Sequence, residues 1–129
     1  MKTDIAPALN TRNGTQRPIN AFALKVIKLY QKLSSEKKEF VLSKQILRSG
    51  TSIGANIEEA NQAESKRDFI HKLGIAQKEA NETHYWIRLL TDSNFLEQNT
   101  SVILKDDCEE LIKLITASIK TAKNNLDND

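Results

Sequence analysis

Cysteine, proline and glycine are scarce in this chain, and each scarcity removes a class of architecture. A single cysteine, Cys108, cannot close an internal disulfide, which argues against a cross-linked secreted scaffold and fits a reducing cytoplasm. Two prolines and four glycines in 129 residues are few for a turn-rich β fold. No segment approaches the roughly 18 apolar residues of a membrane span. The N-terminal MKTDIAPALNTRNGTQR has no apolar run to serve as a signal peptide. The net charge is only +2, so nothing global marks a nucleic-acid binder.

What is present is 39% hydrophobic and 28% charged, enough for one soluble domain with a real core. Residues 1–17 are polar and aperiodic, and are expected to form a flexible tail. Pro18 suits the first turn of a helix. After it Ile19, Phe22, Ala23, Val26, Tyr30 and Leu33 recur at helical spacing, with Lys25, Lys28 and Lys32 roughly opposite. Ser34-Ser35-Glu36 reads as the cap and acidic first turn of a second helix, which carries Leu42, Ile46, Ser49, Ile53, Ile57 and Ala60. Ser65-Lys66-Arg67-Asp68 reads as a capping box. Phe69, Leu73, Ala76, Ala80, Thr83, Ile87 and Leu90 then alternate steps of four and three. Asp92-Ser93-Asn94 stops this third helix, with Phe95 and Leu96 placed to cover the turn. A fourth seam runs through Leu104, Cys108, Leu111, Ile115, Ser118 and Ala122.

These patterns predict helices near 18–34, 36–62, 66–93 and 101–126, an all-α domain over 18–126 with a short C-terminal tail at 127–129. The short linkers point to an antiparallel, up-down-up-down four-helix bundle.

One stretch resists an ordinary helical reading. RSGTSIGANIEEA, residues 48–60, places Gly50 and Gly54 four apart inside a helical pattern. A phosphate loop would follow a strand and end in Lys-Ser/Thr, and neither holds. A membrane GxxxG needs an apolar host, which Arg48, Glu58 and Glu59 forbid. The reading left is mechanical: Ser49, Gly50, Gly54 and Ala55 remove bulk so that a neighbouring helix can approach closely.

These residues also carry a family resemblance. Arg48, Ser52-Ile53-Gly54-Ala55-Asn56-Ile57, Glu59, Ser65, Asp68-Phe69, Ala76 and Glu79 form a pattern that resembles the 23S rRNA intervening-sequence proteins, over roughly residues 18–126. The resemblance implies an antiparallel four-helix bundle assembled as a ring-shaped homopentamer. The accessory protein of diversity-generating retroelements is similar in shape and is thought to engage nucleic acid and a reverse transcriptase through basic surface. The pattern departs from many relatives at Ala60, at Asn61-Gln62-Ala63-Glu64 and at His84, so no basic site carries over to the turn between helices two and three.

Enzyme and metal chemistry find no support in the spacing. A di-iron bundle needs two Glu-x-x-His motifs, and the nearest approach is Asp68-x-x-His71. Glu58-Glu59 and Glu79-x-x-Glu82 read as solvated faces or as polar contacts to Asn56 or Arg48. Cys108 reads as a small core residue. No cofactor is expected.

The surface says more. Residues 17–44 carry seven Lys/Arg against two Asp/Glu, whereas 95–129 carry four against seven. Lys25, Lys28 and Lys32 make one stripe, and Lys44 and Arg48 lie four apart; together these are the candidate phosphate contacts. Tyr85 and Leu89 fall on the side of helix three away from its seam and are the candidate oligomer interface. The functional expectation is a non-enzymatic, cytoplasmic homo-oligomer that binds RNA or another nucleic acid through basic helix surface. The alternative is a protein-interaction scaffold with no nucleic-acid role.

Overall fold

Apolar residues spaced three and four apart select helices here, and the helices follow the seams. The computed structural model describes residues 18–128. The tail expected at 1–17 lies outside the described residues. The helices are α1 (Pro18–Ser35), α2 (Leu42–Asn61), α3 (Lys66–Asp92) and α4 (Gln98–Asn128), with no strand among the described residues. The last helix starts three residues earlier than its seam required and runs two residues into the segment expected as a C-terminal tail.

Successive helices run in opposite directions, as their contacts require. Between α1 and α2, Gly50 faces Val26 and Gly54 faces Ile19. Between α2 and α3, Arg48 reaches Glu79 and Glu82, whereas Glu59 meets Lys72. Between α3 and α4, Thr91 meets Ser101, His84 meets Glu109 and Gln77 meets Thr116. In each pair, residue numbers rise on one helix as they fall on the other. α1 and α4 close the bundle with far sparser contact than the other neighbours make.

The seams meet in one core that includes Phe22, Val26, Ile46, Ile53, Phe69, Leu73, Leu90, Leu104 and Ile115. On α1 the buried set is Ile19, Phe22, Val26, Leu29 and Leu33. Leu29 takes the place expected for Tyr30, because strict three-four steps from Ile19 land there. One polar pair sits inside: Thr83 Oγ1 lies 2.8 Å from Ser49 Oγ and 2.7 Å from the Glu79 carbonyl. Each hydroxyl therefore has a partner in a region where an unpaired one would be costly.

The helix ends decide the connections. Ser65 caps α3, accepting from the Asp68 N–H at 3.1 Å. Asn94 adopts a left-handed conformation (φ 67), and the N–H groups of Asn94 and Phe95 return to the carbonyls of Thr91 and Leu90. This is a Schellman stop, and Phe95 and Leu96 pack against the core beside it.

The expected start of α2 is corrected. Ser34 and Ser35 do not cap it; their hydroxyls donate back to the carbonyls of Tyr30 and Gln31. The chain then turns through Lys38, at φ 55. Glu39 supplies the cap instead, its carboxylate accepting from the N–H groups of Val41, Leu42 and Ser43 at 3.2, 3.0 and 2.7 Å. Glutamate reaches these donors from outside the helix, two to four residues ahead of them, so α2 begins at Leu42 rather than at 36.

Candidate functional site

The bundle separates the five basic residues that the sequence groups together. Lys25, Lys28 and Lys32 lie on the flank of α1 that faces α4, because Lys25 Nζ donates to Asp107 at 2.6 Å. Lys44 points outward from α2, about 160° from the Ile46 seam at 100° per residue. Arg48 lies on the α3 side of α2. Its Nη1 donates to both carboxylate oxygens of Glu79 at 3.2 Å, and its Nη2 reaches Glu82. Glu82 also accepts from Trp86 Nε1 at 2.9 Å. Two carboxylates one turn apart on α3 are thus held together by one guanidinium from α2, and that guanidinium is already committed. Lys28, Lys32 and Lys44 meet no carboxylate among the described residues.

The small residues divide as well. Ser49 and Gly50 are buried, and a Cβ built on Gly50 would stand 2.9 Å from Val26 Cγ1. Gly54 faces Ile19 less tightly, at 3.4 Å from Cγ1. Ala55 is exposed, so it does not serve a close helix contact. Nine residues after Ile46, it has rotated to the opposite side of α2.

On α3 the off-seam pair stands where the rotation puts it. Tyr85 is 45% exposed, and Leu89, one turn on, is half-buried. The Tyr85 ring is tilted against Trp86 with centroids 5.2 Å apart, and Arg88 lies over it at 5.6 Å. This ordered aromatic strip is flanked by Glu82 and Arg88.

Cys108, His84 and Glu109 are engaged in structural contacts. Burial pushes the Cys108 thiol up to about 12, and the nearby Glu109 and Asp107 push the same way. Its Sγ donates to the Ala80 carbonyl. His84 receives Arg88 Nε at Nδ1 and meets Glu109 through Nε2 at 2.9 Å, which fixes the Nε2–H tautomer. That hydrogen bond holds the Glu109 carboxyl below its usual range. Among the described residues no group of three or more His, Cys, Asp or Glu could hold a metal ion, and no helix is long and apolar enough to cross a membrane.

Sequence reasoning missed one surface. Lys37, Phe95, Leu96 and Ile103 join Lys25, Lys28 and Lys32 around an open groove between α1 and α4. Its only sequence signal is the run Val102-Ile103-Leu104, of which the seam uses Leu104 alone; Ile103 is 50% exposed. Each helix's stripe is readable from its own period, but the meeting of the first helix with the fourth is not.

The family model described as 23S rRNA-intervening sequence protein matches residues 17–117. No curated protein matches the chain. Among solved structures, the chain is similar to a protein of unknown function from the S23 ribosomal protein family of Bacteroides thetaiotaomicron VPI-5482. The two are 51% identical, the alignment covers 80% of this chain and 95% of that one, and the TM-score is 0.79.

Proposed function

The chain belongs to the 23S rRNA-intervening sequence protein family, and from that premise we propose that it is a non-enzymatic, cytoplasmic, homo-oligomeric scaffold whose work is holding another protein. The carrying observation is exposed apolar surface: Tyr85, Val102 and Ile103 stand 45–50% exposed on ordered helices. Large apolar groups exposed beside other apolar side chains, as Tyr85 is beside Trp86 and Ile103 beside Phe95 and Leu96, are surface for contact rather than for folding. Self-association through the Tyr85 and Leu89 strip, with a homopentamer as the expected state, accords with the family resemblance. A Leu89→Glu substitution buries an unpaired charge in that contact and is expected to dissociate the assembly. Gel filtration with light scattering checks this, and a monomeric wild-type protein at micromolar concentration would end the proposal.

The nucleic-acid reading keeps one specific support. Lys28 and Lys32 lie four apart without carboxylate partners among the described residues. Repeated around a ring, such a stripe would bind phosphate weakly, with steep salt dependence and little sequence preference. Charge reversal at both is then expected to weaken structured-RNA binding and flatten its salt slope. No RNA binding by the wild type at about 50 mM salt, where such contacts are strongest, excludes this reading. Arg48 is left out of it, because Glu79 and Glu82 already neutralise its charge.

A further inference from the structure

Between α1 and α4, the sparsest-packed neighbours in the bundle, a groove of about 380 Å³ opens toward the end that carries the α3–α4 turn. Leu29, Leu33, Phe95, Leu96, Ile103 and Leu104 form its apolar floor and one wall. Lys25, Lys28 and Lys32 line the α1 edge, Lys37 stands past the end of that helix, and Glu97 is the one acidic residue in the lining. Lys25 is drawn to Asp107, which is 2.6 Å away. Lys28, Lys32 and Lys37 meet no carboxylate among the described residues.

We infer that this groove receives an acidic amphipathic helix from a partner protein, an inference that rests on the scaffold reading and names the partner's chemistry. Three features select that occupant. The floor is apolar, so a phosphate backbone would satisfy the lysines yet leave Ile103 and Phe95 uncovered. The volume admits roughly two or three large apolar side chains and does not engulf a whole ligand, which matches the anchors of one helix face. Finally, the edges of the groove are helices whose backbone groups are already paired. An extended peptide would find no ladder to join there, whereas a helix brings its own hydrogen bonds. Lys28 and Lys32, which meet no carboxylate among the described residues, lie one turn apart along the edge. They are about 6 Å apart along the axis, and carboxylates at the same step on a helix laid alongside would meet them in register. The basic edge lies on α1 and the turn that follows it, so the incoming helix carries its acidic residues on one flank of its apolar stripe.

The test uses the full chain and two fluorescent synthetic peptides, each an amphipathic helix with a leucine stripe, one flanked by glutamates and one by lysines. Anisotropy is expected to show saturable binding of the glutamate peptide and none of the lysine peptide. Ile103→Asp, at a half-exposed position where folding is not at stake, and the Lys28→Glu/Lys32→Glu double variant are each expected to weaken it by about tenfold or more. No binding of the glutamate peptide would overturn the inference, as would binding indifferent to Ile103→Asp. Structured RNA that displaces the peptide, and binds the Ile103→Asp variant unchanged, would also overturn it and return the lysines to the nucleic-acid reading. Oligomer mass is measured on the same samples. A monomer that still binds the peptide through the groove defeats the scaffold reading alone, and an intact oligomer that ignores the peptide defeats the groove alone.

Discussion

Gly50 and Gly54 lie four residues apart on one helix and face the same neighbour, yet the two are expected to respond oppositely to the same change. At Gly50 an added methyl would meet the branched side chain of buried Val26 at 2.9 Å, too close without displacement. Gly50→Ala is therefore expected to destabilise by about 1–3 kcal/mol through overpacking. At Gly54 the added methyl meets Ile19 at an ordinary 3.4 Å, so relief of the glycine's helical penalty dominates. Gly54→Ala is expected to stabilise by roughly 0.5–1 kcal/mol. Urea unfolding of the two variants checks both signs, and equal effects would show that the helices approach uniformly. Cys108 offers a second residue-scale check. With its thiol raised to about 12 by burial first and by its acidic neighbours next, it is expected to resist thiol reagents in the native protein and to react promptly in denaturant.

At the scale of elements, the start of α2 separates what periodicity reveals from what it hides. The apolar steps of three and four mark which segments are helical and which face of each is buried, and Ser65 and Asn94 announce their roles through residue type. Glu39 does not, since a glutamate before a helix is common and its capping depends on the left-handed turn at Lys38. The same limit hid the α1–α4 groove, a meeting of elements distant in sequence. It also let Ala55 pass as a packing residue on the strength of its size. Glu39 carries a pH signature. Partial burial alone would raise its pKa, but the N–H donors of Leu42, Ser43 and Val41 outweigh that and lower it from 4.5. A lowered folded-state pKa means stabilisation that is fully present above the ordinary carboxylate value and is lost as pH falls through the folded one. Glu39→Gln is thus expected to cost about 1 kcal/mol at neutral pH, the size of a helix cap. It should also show a smaller loss than wild type when the pH is lowered to about 3. Parallel acid limbs in the two proteins would assign the cap elsewhere.

For the whole molecule, the charges on single helices matter less than the surfaces that several helices build. Arg48 and Lys25 are drawn into ion pairs across helix boundaries, which divides the basic stripe expected from the sequence. Exposed apolar side chains mark one face around Tyr85 and another at the α1–α4 groove, where Ile103 stands; Leu24, Phe40, Val41 and Val102 are exposed outside the groove lining. A ring built through the first face would leave the second free on every subunit, so weak partner contacts would multiply by avidity. That scheme stands on self-association. The most direct test is the solution mass of wild type and Leu89→Glu, by light scattering at micromolar concentration, with helicity recorded alongside. The expected result is a discrete oligomer, a pentamer, for wild type and a folded species of lower mass for Leu89→Glu. A wild-type monomer, or a Leu89→Glu protein that stays fully assembled, would contradict the account.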